Sequence, residues 1–247
     1  MITDPSFYAV AVPAVLLMGL SKSGFGVGFG ALAVPLMALA VPVPQAAAIL
    51  LPLLFVMDML GLAALARQAD RALLRMLLPA GLLGAVIGAV LFGLPSAKMV
   101  AGMVGVLTLM FLAMRVTFPP RADAPPPPRW LGAVLATLSG FTSFVAHAGG
   151  PPIGFYVLPL KLAPEVFTAT MAVFFTAVNL AKWLPYAWLG LIDLTNMSTS
   201  LVLLPLAPLG GGLGVRFVRR VSPRLFYRLF HLGMLLTGLK LSWDGFR

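Results

Sequence analysis

The sequence predicts an all-α polytopic membrane protein made of two inverted-topology repeats of about five helical segments each, some of them re-entrant or discontinuous. Composition is the first observation behind this: 60% of the 247 residues are apolar and 10% are charged, against about a quarter charged in soluble domains. The second is ten apolar runs separated by short polar connections, each read as helical because lipid tolerates only helices or closed barrels and no alternating strand pattern appears. The third is the placement of the basic residues, which collect on alternate sides of those runs.

The first five runs cover about residues 7–21, 25–41, 45–66, 72–94 and 97–115, and the second five cover 130–146, 151–162, 165–191, 194–217 and 224–241. Between them lies PPRADAPPPPR, residues 119–129, whose prolines favour extended, solvated backbone. It divides a first repeat, 1–118, from a second, 130–247. A shift of 124 residues brings Gly26 onto Gly150, Gly30 onto Gly154, and Val34 and Pro35 onto Leu158 and Pro159. With slightly larger shifts Gly84 and Gly88 fall on Gly210 and Gly214, and Pro95 on Pro223.

Lys and Arg in short loops mark the cytoplasmic side. One face receives Lys22; Arg67, Arg71 and Arg75; Arg115, Arg121 and Arg129; Lys161; and Arg216, Arg219, Arg220, Arg224 and Arg228. The other receives only Lys98, Lys240 and Arg247. Both termini are therefore expected outside, in the periplasm, with the linker in the cytoplasm. Five segments per half is odd, so the second repeat starts on the opposite side and is upside down relative to the first. The net charge of +10 follows from this loop bias, and with no basic patch interleaved with aromatics nucleic acid is not expected as a partner. The first run lacks a positive leading region and a cleavage pattern, and is read as a retained helix.

The first two segments of each half fall short of the roughly 20 residues needed to cross. Two arrangements fit: full crossings, or re-entrant half-helices joined at Lys22-Ser23-Gly24 and at His147-Ala148-Gly149-Gly150. Half-helix N-termini carry unpaired N–H groups and a positive dipole end, and glycine lets a ligand approach the backbone. Lys22, Ser23, Gly24, Gly26, His147, Gly149, Gly150 and Pro151 are thus the candidate substrate-binding residues for an anion. The competing reading makes Gly24, Gly26, Gly28 and Gly30 a small-residue packing stripe and Lys22 a cytoplasmic anchor. Asp58 and Lys182 are charges inside apolar segments, superimposed by the 124-residue shift, and Asn179 lies one turn before Lys182. Such charges face a cavity or find a partner: an ion pair, a proton site and a substrate contact all fit, as does snorkelling of Lys182 beside Trp183 and Tyr186. Glu165, Asp193 and Asn196 read as helix-boundary residues, and His231 as structural.

Catalysis is disfavoured. Among seven carboxylates only Asp58 lies within an apolar segment, the two histidines are far apart, no HExxH or GxSxG occurs, and cysteine is absent. No metal or cofactor is called for.

The stretches GLSKSGFGVGFGALAVP, residues 19–35, and HAGGPPIGFYVLP, residues 147–159, resemble the paired signatures of the TauE/SafE sulfite exporter family. The likeness spans the chain, including the proline-rich linker and the closing run from Gly210 through Arg228 to Gly238. It implies a bacterial inner-membrane permease exporting sulfite, sulfoacetate or a related small anion. Uptake of an organic acid or metal species, a membrane assembly role and pairing of two copies are the alternatives.

Overall fold

The computed structural model describes residues 1–22, 29–92, 96–118, 126–210 and 223–247. Ser23, Gly24, Gly26, Gly28, Pro95, Gly214, Arg121, Arg216, Arg219, Arg220 and most of the 119–129 linker lie outside these. Every regular element among the described residues is helical: α1 Pro5–Leu20, α2 Ala33–Met37, α3 Val43–Leu65, α4 Arg71–Phe92, α5 Ala97–Thr117, α6 Arg129–Ala146, α7 Gly150–Val157, α8 Pro164–Trp188, α9 Leu194–Leu203 and α10 Pro223–Phe246. Within α3, α4, α5, α6 and α8 lie stretches long and apolar enough to cross a bilayer.

Helix starts follow from local chemistry. Asp4 accepts the Ser6 N–H at 2.9 Å ahead of Pro5, and Asp193 accepts the Asn196 N–H at 2.9 Å, each satisfying a donor left over at a helix start. Pro164 and Glu165 open α8, where proline has no N–H to lose and an acid meets the positive dipole end.

Three elements differ from the sequence expectation. The 25–41 run is not one helix: a 3₁₀ turn over Phe29–Leu32 precedes the five-residue α2, which stops before Val41, a residue disfavoured for helix because Pro42 follows it. The 194–217 run breaks after Leu203, with a turn at 204–205 and helix again over 206–210, since Pro205 supplies no N–H. The last helix extends to Phe246, and the 2.5 Å pair of Lys240 with Asp244 spans one turn of the added length.

α6 and α7 form a hairpin. His147 adopts a left-handed conformation (φ 51°) after Ala146, and the Ala148 N–H reaches back to Thr142 O at 3.1 Å, the reversal that usually recruits glycine. α7 then runs back along α6, Gly149 lying against Ser139 and Tyr156 lying over Gly132. Eight residues of helix rise about 12 Å, well short of a hydrocarbon core of about 30 Å. α2 and its preceding 3₁₀ turn pack against α1 in the same manner.

Close approach fixes the remaining pairs. A Cβ on Gly84 would strike Thr137 O of α6, and one on Gly140 would strike Gly81 O of α4, so α4 and α6 cross at backbone contact. α3 and α8 pack antiparallel, with Gly61 beside Ala172, Asp58 on Asn179, and Phe55 edge-on to Trp183 at 5.9 Å in that order. One apolar core gathers around α1, α2 and α3, and a second joins α4, α6, α7 and α8.

Candidate functional site

A cavity of about 140 Å³ lies where these two cores meet. A buried water needs about 10–15 Å³ by a comparable measure, so the space admits a small ion with some hydration. Met18, Ser21, Lys22, Gly30 and Ala31 line it from the first hairpin; Ser143, His147 and Gly150 line it from the second. α3 adds Leu54, Met57, Asp58 and Gly61, and α8 adds Phe167, Thr168, Met171, Ala172, Phe175 and Asn179.

Asp58 is 2% exposed. One carboxylate oxygen accepts from Lys22 Nζ, and the other accepts from Asn179 Nδ2 at 2.6 Å. Lys22 retains 24% side-chain exposure, facing the cavity, with its ammonium 5.2 Å from the centre of the Phe175 ring.

Lys182 lies behind this pair, 0% exposed and outside the cavity wall. An ammonium has three donors and no acceptor, and here each finds a neutral partner: Ser143 Oγ at 2.7 Å, Asn179 Oδ1 at 2.7 Å and His147 Nδ1 at 3.0 Å. Those contacts fix the remaining assignments. Asn179 must turn its oxygen to Lys182 and its amide N–H to Asp58. His147 Nε2 lies 2.9 Å from Ala47 O, which only an N–H satisfies, leaving a neutral ring whose Nδ1 accepts from Lys182. A left-handed backbone costs a non-glycine residue roughly 1–2 kcal/mol, and these two buried bonds explain why histidine stands there.

Asp58 and Lys182 therefore make no direct ion pair; Asn179 bridges them, because both of its amide groups are used. Snorkelling of Lys182 is excluded by its complete burial. Of the residues singled out from sequence, Lys22, Asp58, Asn179, His147 and Gly150 share the cavity wall. Gly149 does not line it: a Cβ there would lie 2.8 Å from Ser139 O and 2.9 Å from the Phe175 ring, which makes it a packing glycine. Pro151 is half-buried at the start of α7, also away from the cavity. Gly30, the described member of the glycine stripe, would place a Cβ 3.4 Å from Ser21 Oγ, an ordinary contact.

Ser143 was missed. A serine inside an apolar helix carries no signal of its own, but Ser143 lies four residues before His147, one helical turn down the face that meets Lys182.

On the side of Lys182 away from the cavity, Phe92, Phe144 and Tyr186 form a closed aromatic cluster. Phe144 meets Tyr186 edge-on at 5.1 Å, Phe92 stacks on Tyr186 at 6.4 Å, and the Tyr186 hydroxyl donates to Phe144 O at 2.7 Å. Among the described residues the cavity lining runs along α8 from Asn179 to Phe167 and Thr168 near the helix start, and the aromatic cluster lies beyond Lys182 at the other end.

Apolar helices of membrane-crossing length around a charge-lined cavity define a multi-pass membrane protein with the architecture of a permease. The chain belongs to the sulfite exporter TauE/SafE family, whose sequence profile it matches over residues 11–241; it is a permease of the sulfite and anion exporter type. No curated protein and no solved structure matches it.

Proposed function

We propose that this cavity is the substrate site of a secondary transporter that exports a small anion, sulfite or an organosulfonate such as sulfoacetate, across the bacterial inner membrane. One observation carries the reading: the Lys22 ammonium is partly exposed in the cavity wall, with Asn179 and Ser143 beside it and Lys182 hydrogen-bonded to both from behind, a donor-rich lining in a low-dielectric setting. An anion entering the cavity takes Lys22 from Asp58, which keeps Asn179. Both termini are periplasmic in this reading, residues 1–118 and 130–247 are inverted repeats, and α6–α7 and α1–α2 are re-entrant, as the length of α7 favours.

The cavity lining reaches Phe167 and Thr168 near the start of α8, the helix that follows Lys161 in sequence, on the flank that loop charge assigns to the cytoplasm. The geometry suits loading from inside. An interior-negative potential then favours exit by about 2.3 kcal/mol per charge per 100 mV. No enzymatic step, metal or cofactor is needed.

Proteoliposomes loaded with sulfite or sulfoacetate test this. Faster efflux than from empty liposomes is expected, steepened by an interior-negative potential. Absence of flux for every such anion would sink the proposal.

A further inference from the structure

The Ser143 hydroxyl has an oxygen in use and a hydrogen that is not. Its Oγ accepts from Lys182 Nζ at 2.7 Å, and Lys182 cannot accept in return while it holds three donors. A hydroxyl on a helix commonly returns its hydrogen to the carbonyl one turn back. Thr137 does so to Ala133 O at 3.0 Å, and Thr142 to Leu138 O at 2.9 Å, with Ala148 O also within 3.0 Å. Ser143 makes no such bond, and among the described residues nothing accepts from it. It is 3% exposed and lines the cavity. A buried polar hydrogen with no acceptor is costly, and the open side of this one is the cavity.

We infer that Ser143 is a specificity-determining donor of the anion site: Lys182 holds its oxygen, so its hydrogen is committed to an unprotonated oxygen of the substrate. This rests on the anion-cavity reading. Lys182 acts on the substrate through Ser143 without touching it, because a hydroxyl that accepts from an ammonium is a stronger donor. Asn179 is arranged in parallel, its oxygen on Lys182 and its N–H groups turned to the cavity side, where Asp58 takes one. The polar wall at this end then consists of donors from Lys22, Asn179 and Ser143, with Asp58 as the acceptor. A ligand whose oxygens are bare and charged satisfies all three donors with charge-assisted bonds; a neutral one accepts more weakly, and a protonated oxygen turns a hydrogen toward a donor, the condition under which polar sites discriminate most strongly.

The test is calorimetric binding of sodium methanesulfonate, sodium sulfite and neutral dimethyl sulfone to the purified full-length protein and to Ser143→Ala, Ser143→Thr and Ser143→Val. Ser143→Ala is expected to weaken methanesulfonate and sulfite by about 10- to 100-fold, the range for a hydrogen bond to a charged group, and to narrow the preference over dimethyl sulfone. Ser143→Thr should restore both quantities and the isosteric Ser143→Val should not; that pair decides the question if Ser143→Ala fails to fold. Wild-type protein that binds neither anion refutes the anion-cavity reading itself. Wild-type protein that binds them while the Ala and Val variants bind equally well, or an Ala variant that weakens all three ligands alike, overturns the role of Ser143 alone.

Discussion

α3 and α8 each carry one charge into the apolar interior, and the two are treated differently. Asp58 on α3 sits in the cavity wall against a partner, Lys22, that is partly exposed to the cavity. Lys182 on α8 is sealed behind the wall and held by three neutral acceptors from α6, its cap and α8 itself. One borders the cavity and the other is enclosed by protein. A buried lysine is tolerated when its hydrogen-bonding groups are matched, and Lys182 meets that condition with no carboxylate in direct contact.

That contrast can be broken most sharply at Lys182. Lys182→Met orphans three buried acceptors, at about 1–3 kcal/mol each, so a loss of at least about 3 kcal/mol is expected, seen as a large drop in melting temperature in detergent. Little change would mean the lysine is not the organiser of this cluster. Lys22→Met also leaves the buried Asp58 carboxylate without its cation and is expected to lower stability, but its distinguishing effect is on sulfite efflux from proteoliposomes, down by about 10- to 100-fold per folded protein if Lys22 is the charged donor met by the anion. Asp58→Asn sharpens the same point from the other side: with the tethered carboxylate gone, Lys22 is released, and anion binding is expected to tighten by up to about tenfold while efflux slows. Weaker binding in this variant would make Asp58 a structural partner of Lys22 and no more. The smallest effect belongs to Asp244→Asn, which removes the exposed Lys240–Asp244 pair; such pairs contribute about 0–1 kcal/mol, and melting should barely move. It sets the scale for the other three.

Helical content and membrane habit were legible because apolar runs and loop charges are long-range averages that survive small errors of boundary. Boundaries failed where proline chemistry intervened, at Pro42 and Pro205. Within the site, Asp58 and Lys182 stood out because charge in an apolar run is rare, and Lys22 because it stands at the glycine-rich junction of two short runs. What could not be read was which charge meets which: Lys22 finds Asp58 across 36 residues, and Asn179 turns out to be the bridge. Gly149 and Gly150 are adjacent and look alike in sequence, yet one packs under Phe175 and the other faces the cavity. That distinction depends on the helical phase at which α7 resumes after His147.

The aromatic cluster has a mechanical consequence. Tyr186 binds Phe144 O, and Lys182 binds Ser143 and His147, so α6 and α8 are laced together by bonds that never reach α3. Among the described residues two hydrogen bonds cross that seam, Asn179 to Asp58 and His147 to Ala47 O. The first of these ties begins in the cavity wall, on the same carboxylate that holds Lys22, so the direct polar link between α8 and α3 and the one partly exposed lysine of the cavity meet at a single side chain.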